Sequence, residues 1–114
     1  MKSKTAVTAV TLAVVGGAFS ATAAADPFTP NDYEFIAAVA GIGYSGNVMH
    51  TVDVARGVCA LLDQGVGWQV RENFVISSFG ADGPPTHQEY NATLFGQYSA
   101  YHYCPEHNDQ YGSI

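Results

Sequence analysis

Residues 47–65 read NVMHTVDVARGVCALLDQG, and their periodicity sets the frame for the rest of the chain. Val48, Val52, Ala55, Cys59 and Leu62 recur at i, i+4, i+7, i+11 and i+14, the repeat of one helical face. Asn47 can accept from the free N–H groups of a first turn, and Gly65 suits a stop. A helix over 48–63 follows, with Cys59 in the centre of its apolar stripe.

Toward the N-terminus, Thr29-Pro30-Asn31-Asp32 predicts another helix start, with Thr29 as cap, Pro30 in the first turn and Asp32 reaching back. That helix carries Tyr33, Phe35, Ile36, Val39 and Ala40 and stops at Gly41. The glycine-spaced loop 41–46 holds Ile42 and Tyr44, expected to fold back onto the core.

Toward the C-terminus, residues 68–78 give a third helix with a less regular stripe of Val70, Phe74 and Ser77 beside Val75 and Ile76. Residues 74–79 could form a strand, but no second strand pattern exists to pair with it. Glycines and prolines over 80–85 break regular structure. Thr86-His87-Gln88-Glu89 reads as a capping box opening a fourth helix to Tyr103. Its expected inward stripe is Tyr90, Leu94, Gln97, Tyr101 and Cys104, flanked by Tyr98. Pro105 ends the pattern. The expected fold is all-α, a compact four-helix domain over 26–105 followed by a polar tail over 106–114.

The N-terminus points to export. Lys2 and Lys4 precede an apolar run over 6–18, and Ala23-Ala24-Ala25 supplies small-residue positions before Asp26. The run is shorter than the ~20 apolar residues a spanning helix needs, so residues 1–25 read as a cleavable signal peptide. The expected location is secreted or cell envelope, without a transmembrane anchor after cleavage. Removing Lys2 and Lys4 leaves Arg56 and Arg71 against ten acidic residues, moving the formal charge from −6 to −8. Phosphate binding needs clustered Lys and Arg, so nucleic acid is excluded as a partner.

Two cysteines, Cys59 and Cys104, in an exported chain most simply pair with each other. The chain-entropy model gives about 4 kcal/mol for closing a loop of that length. Intermolecular pairing and a thiolate–metal site are the alternatives, and the absence of a CxxC spacing weakens the second.

Several segments then gain meaning together: Phe35-Ile36, Gly41-Ile42-Gly43-Tyr44, Gly57-Val58-Cys59 with Leu62 and Gly65, and Tyr103-Cys104-Pro105. In this order they resemble the small exported proteins of mycobacteria and relatives catalogued as domain of unknown function 732. The likeness covers about residues 26–105. It implies a compact helical fold with a disulfide between the two matched cysteines, and it brings no established activity. Residues 77–85 and the tail fit it least.

No catalytic constellation is present. Ser45, Ser77 and Ser78 lack a local base, and Glu89, Glu106 and Asp109 are dispersed acids. His50, His87, His102 and His107 show no helical ligand pairing, so no metal set or cofactor is assigned. The chain is therefore expected to be a non-catalytic interaction module for a protein or cell-envelope partner. The alternative is a small apolar-ligand or haem carrier built on Tyr98, Tyr101, His102 and Tyr103, since Tyr and His both serve as haem ligands. Intact-mass analysis of exported protein should give a chain beginning at Asp26, and a mass that retains Met1 would refute cleavage.

Overall fold

The computed structural model describes residues 27–111, so the signal-peptide reading lies outside the described residues. Four α-helices follow in order: α1 Pro30–Ala40, α2 Val48–Asp63, α3 Trp68–Phe79 and α4 Gln88–Tyr103. Short 3-10 turns span Gly80–Asp82 and Pro105–Gln110, and no strand occurs among the described residues.

The two leading caps form as the sequence dictates. Thr29 Oγ1 accepts from Asp32 N at 3.1 Å, and Asp32 Oδ2 accepts from Thr29 N at 2.9 Å, closing the reciprocal box of α1. Asn47 Oδ1 accepts from His50 N at 3.0 Å to open α2. Between them Tyr44 turns inward and is buried, while Ile42 packs on the core edge. The positive-φ residues of this loop are Gly43 (φ 106°), two positions beyond the helix stop at Gly41, and Gly46 (φ 101°).

α4 is the axis of the molecule, packing against α1, α2, α3 and the C-terminal turn. Its only large fully buried side chain is Phe95, whose ring meets Phe35 at 5.4 Å, Tyr44 at 4.9 Å and Phe79 at 5.3 Å. Ala92, Gly96, Ser99 and Ala100 complete the inward face. The expected stripe is therefore corrected: Tyr101 is 65% exposed and Tyr90 57% exposed, while Leu94 and Gln97 are half-buried. The helix buries its small residues because they let three neighbouring helices approach closely, and Tyr90 and Tyr101, whose hydroxyls need solvent or a partner, turn outward.

α3 is likewise rotated from expectation. Arg71, Val75 and Phe79 face inward with Phe74 half-buried, whereas Val70 and Ser77 are exposed. Phe74 lies over Gly57, where a Cβ would come within 2.5 Å of its ring. In α2, Val52, Ala55, Cys59 and Leu62 are buried as the periodicity requires, but Val48 is exposed, and Thr51, Val54 and Val58 widen the buried face.

The Thr86 capping box does not form. The chain enters α4 through His87 in the left-handed region (φ 54°), with no side-chain cap. The preceding loop docks on the 41–46 loop, where Ser45 N donates to Asp82 O at 3.0 Å and Pro84 is buried beside Gly43. That docking fixes the angle of entry.

Cys59 on α2 and Cys104 at the end of α4 are both buried and lie at disulfide distance, Cα to Cα 5.9 Å. The polar segment beyond Cys104 turns back, and Tyr111 comes to rest over Gly96 of α4. Phe95→Ala should cost about 3–5 kcal/mol in denaturant unfolding. Tyr101→Ala should be nearly neutral, which tests the observed rotation of α4 against the one its tyrosines suggest.

Candidate functional site

The four residues proposed from sequence as a ligand wall do not line one groove, although the Tyr101 and His102 rings meet edge-on at 5.1 Å between centroids. Tyr98 and Tyr101 line an open groove with Gln97 and Asn108. His102 and Tyr103 face α1 instead. His102 Nδ1 lies 2.8 Å from Asn31 Oδ1, and Asn31 Nδ2 donates back to the His102 carbonyl at 2.9 Å. Tyr103 donates its hydroxyl to Asp32 Oδ1 at 2.6 Å, and both rings rest on Phe35.

This junction has clear electrostatics. The Tyr103 hydroxyl, followed by the Thr29 backbone N–H, holds the Asp32 carboxyl below its ordinary value of 3.8, and burial opposes them. Burial, and then the hydrogen bond to Asp32, raises the Tyr103 phenol well above its ordinary range. The pair locks the last turn of α4 to the first turn of α1. Its role is to hold two helix ends together, so half of the expected ligand wall is committed to the fold.

The sequence-based search missed a cleft between α3, α4 and the returning C-terminal segment. Trp68, Arg71, Glu72 and Val75 supply one wall, Ala92 and Thr93 the second, and Gln110 and Tyr111 the third, around about 260 Å³. The small Ala92 is what leaves the space beside Val75. Arg71 is 5% exposed, donating Nη1–H to the Val66 carbonyl at 2.9 Å and Nε–H to the Tyr111 hydroxyl at 3.2 Å. Its guanidinium also lies 4.8 Å from the Tyr111 ring centre. Among the described residues no carboxylate comes within ion-pair distance of it.

Glu72, one position on, accepts from the Thr93 hydroxyl and so ties α3 to α4 across the cleft. Burial raises the Tyr111 hydroxyl above the ordinary phenol range, Arg71 opposes this and Glu72 adds to it. The cleft thus offers a neutral phenol, a guanidinium, the Glu72 carboxylate and apolar surface. Trp68 stands at its rim, 58% exposed. The signal for this site lay in the i, i+4, i+8 spacing of Arg71, Val75 and Phe79, which marks Arg71 as inward-facing.

An all-helical domain with two buried cysteines at disulfide distance and a small cleft beside its central helix is the class of protein these features define. Residues 31–106 match the family described as protein of unknown function (DUF732), more than half of the chain, and the protein belongs to that family. The matched segment contains α2, α3, α4, all of α1 but its first residue, and both cysteines, and it ends before Tyr111. No curated protein and no solved structure gives a significant match to the chain.

The lowered Asp32 carboxyl has a defined pH signature. Its stabilisation is complete above the ordinary carboxylate pKa and is lost as pH falls through the lower folded value. Asp32→Asn should therefore lower stability by about 1–3 kcal/mol at neutral pH, the range for a charged hydrogen bond lost from a buried site. The gap between variant and parent should narrow as pH falls below about 4 and close once Asp32 is protonated in the folded protein, as followed by urea unfolding across pH.

Proposed function

We propose that this protein is an exported, non-catalytic binding module that engages a protein or cell-envelope partner through the cleft between α3 and α4. The observation that carries this reading is Trp68, a large aromatic side chain 58% exposed at the lip of a cleft that holds a guanidinium without a carboxylate partner among the described residues. Exposed tryptophan beside a buried, hydrogen-bonded arginine is the composition of an interface centre, where Trp and Arg contribute most to binding. Val70, Tyr90 and Met49 add exposed apolar area elsewhere on the surface.

Export is supported by the residue pattern over 1–25 and by the pair of cysteines at disulfide distance. No described helix is long and apolar enough to cross a membrane. The formal charge of −8 after cleavage disfavours nucleic acid and anionic lipid surfaces.

The carrier reading has weaker support, because His102 and Tyr103 do not line the groove of Tyr98 and Tyr101, and His102 Nδ1 and the Tyr103 hydroxyl already have partners on α1. Pull-down from an envelope extract should recover a partner with the parent protein and lose it with Trp68→Ala at unchanged helical content. Equal recovery by both would move the binding surface elsewhere. Added haemin should give no saturable Soret shift. A saturable shift abolished by Tyr98→Ala would favour the carrier.

A further inference from the structure

Asp63, Glu106 and His107 bring two carboxylate oxygens and one imidazole nitrogen within 4.8 Å of one another at the C-terminal end of α2. His107 Nε2 lies 2.7 Å from Asp63 Oδ1 although the residues are 44 apart in sequence. We propose that these three side chains form a binding site for a divalent transition-metal ion of the zinc type. This inference is independent of the cleft and of the partner it is proposed to bind.

The donor set selects the class of ion. One imidazole with two carboxylates suits borderline cations such as Zn²⁺, whereas Ca²⁺ prefers six to eight oxygens. Around a tetrahedral zinc, ligand atoms at ~2.0–2.2 Å from the metal stand about 3.3 Å apart. In the observed cluster the His107–Asp63 pair is closer than that, at 2.7 Å, and all three donor atoms lie within 4.8 Å. The Asp63 side chain is 66% exposed, so rotation about its own bonds can adjust the spacing to the ion. On binding, Nε2 exchanges its contact with Asp63 for the metal, and the imidazole proton resides on Nδ1.

Preorganisation comes from the cysteine pair. Asp63 is one helical turn beyond Cys59, and His107 is three residues beyond Cys104, with its N–H donating to the Cys104 carbonyl at 2.9 Å. With Cys59 and Cys104 at Cα 5.9 Å, the two ligand-bearing turns are held side by side before any ion arrives. Much of the ordering cost of a site drawn from distant sequence segments is thereby met by the fold. The local field agrees: Asp63 closes α2, whose last turn carries no basic residue, and a helix C-terminus favours positive charge. Three protein ligands leave a coordination position for water or for a donor from a bound partner.

Isothermal titration of the oxidised protein with ZnCl₂ and, separately, CaCl₂ tests the site. The cysteines must stay bridged, since free thiolates would bind zinc themselves. One Zn²⁺ per chain is expected, with His107→Ala and Asp63→Asn each weakening it at least ten-fold at unchanged circular dichroism. His87→Ala, at an exposed histidine on the N-terminal side of α4, should leave affinity unaltered. The proposal is overturned by absent zinc binding, by zinc binding that survives both site substitutions, or by Ca²⁺ binding of equal strength that persists in His107→Ala.

Discussion

Phe95 must be buried among Phe35, Tyr44 and Phe79, and most of the architecture follows from meeting that requirement on one helix. The four rings come from α1, the 41–46 loop, α3 and α4, so one cluster joins three helices and a loop. They can converge only if the remainder of the inward face of α4 stays thin. Ala92, Gly96, Ser99 and Ala100 provide that thinness. The same small residues create two features at the surface: room beside Ala92 for the α3–α4 cleft, and a flat place at Gly96 where Tyr111 lands. Adding a methyl at Gly96 would collide with the Tyr111 ring, so the site and the core share one packing constraint.

Much of the first half of the chain was legible in sequence because its signals are local. The Thr29–Asp32 and Asn47 caps are backbone chemistry within one turn, and they form as read. The α2 stripe was legible because Val, Ala, Cys and Leu carry no competing polar atom. α4 was misread for the opposite reason. Tyrosine counts as apolar in a periodicity reading, yet Tyr90 and Tyr101 keep their hydroxyls in water, and glycine, serine and alanine send no hydrophobic signal when they are the buried ones. Thr86 failed as a cap because a tertiary contact, the docking of the 80–85 loop on Ser45, overrode a local preference. The Tyr98, Tyr101, His102, Tyr103 group was adjacent in sequence, but neighbours on a helix point in different directions, and only the first two share a groove.

The functional surfaces were less legible than the fold because they are assembled across sequence distance. The cleft takes walls from α3, α4 and the C-terminal turn. Nothing local in Gln110-Tyr111 announces that the chain returns to meet Arg71. That return depends on Cys104, which ends α4 in a non-helical conformation (φ −150°, ψ 66°) and redirects the backbone. The paired cysteines thus fix both the packing of α2 on α4 and the direction of the last described segment.

The use of cations shows how an acidic domain of this size is held together. Beyond residue 25 the chain has two arginines, and each lies near a tyrosine ring: Arg56 at 5.6 Å from Tyr103 and Arg71 at 4.8 Å from Tyr111. Among the described residues neither comes within ion-pair distance of a carboxylate. The acids are therefore left without arginine partners, and surface pairing of that kind contributes little to stability in any case. Cohesion rests instead on aromatic packing, the cysteine pair at disulfide distance, and hydrogen bonds such as Tyr103 to Asp32 and Arg71 to Tyr111. Both arginine–tyrosine contacts involve tyrosines at or beyond the end of α4, so the cations pin the C-terminal part of the chain. A charge placed in this way serves packing first. The unbalanced negative field that remains attracts cations and repels polyanions, and it sets the electrostatic terms on which any partner approaches.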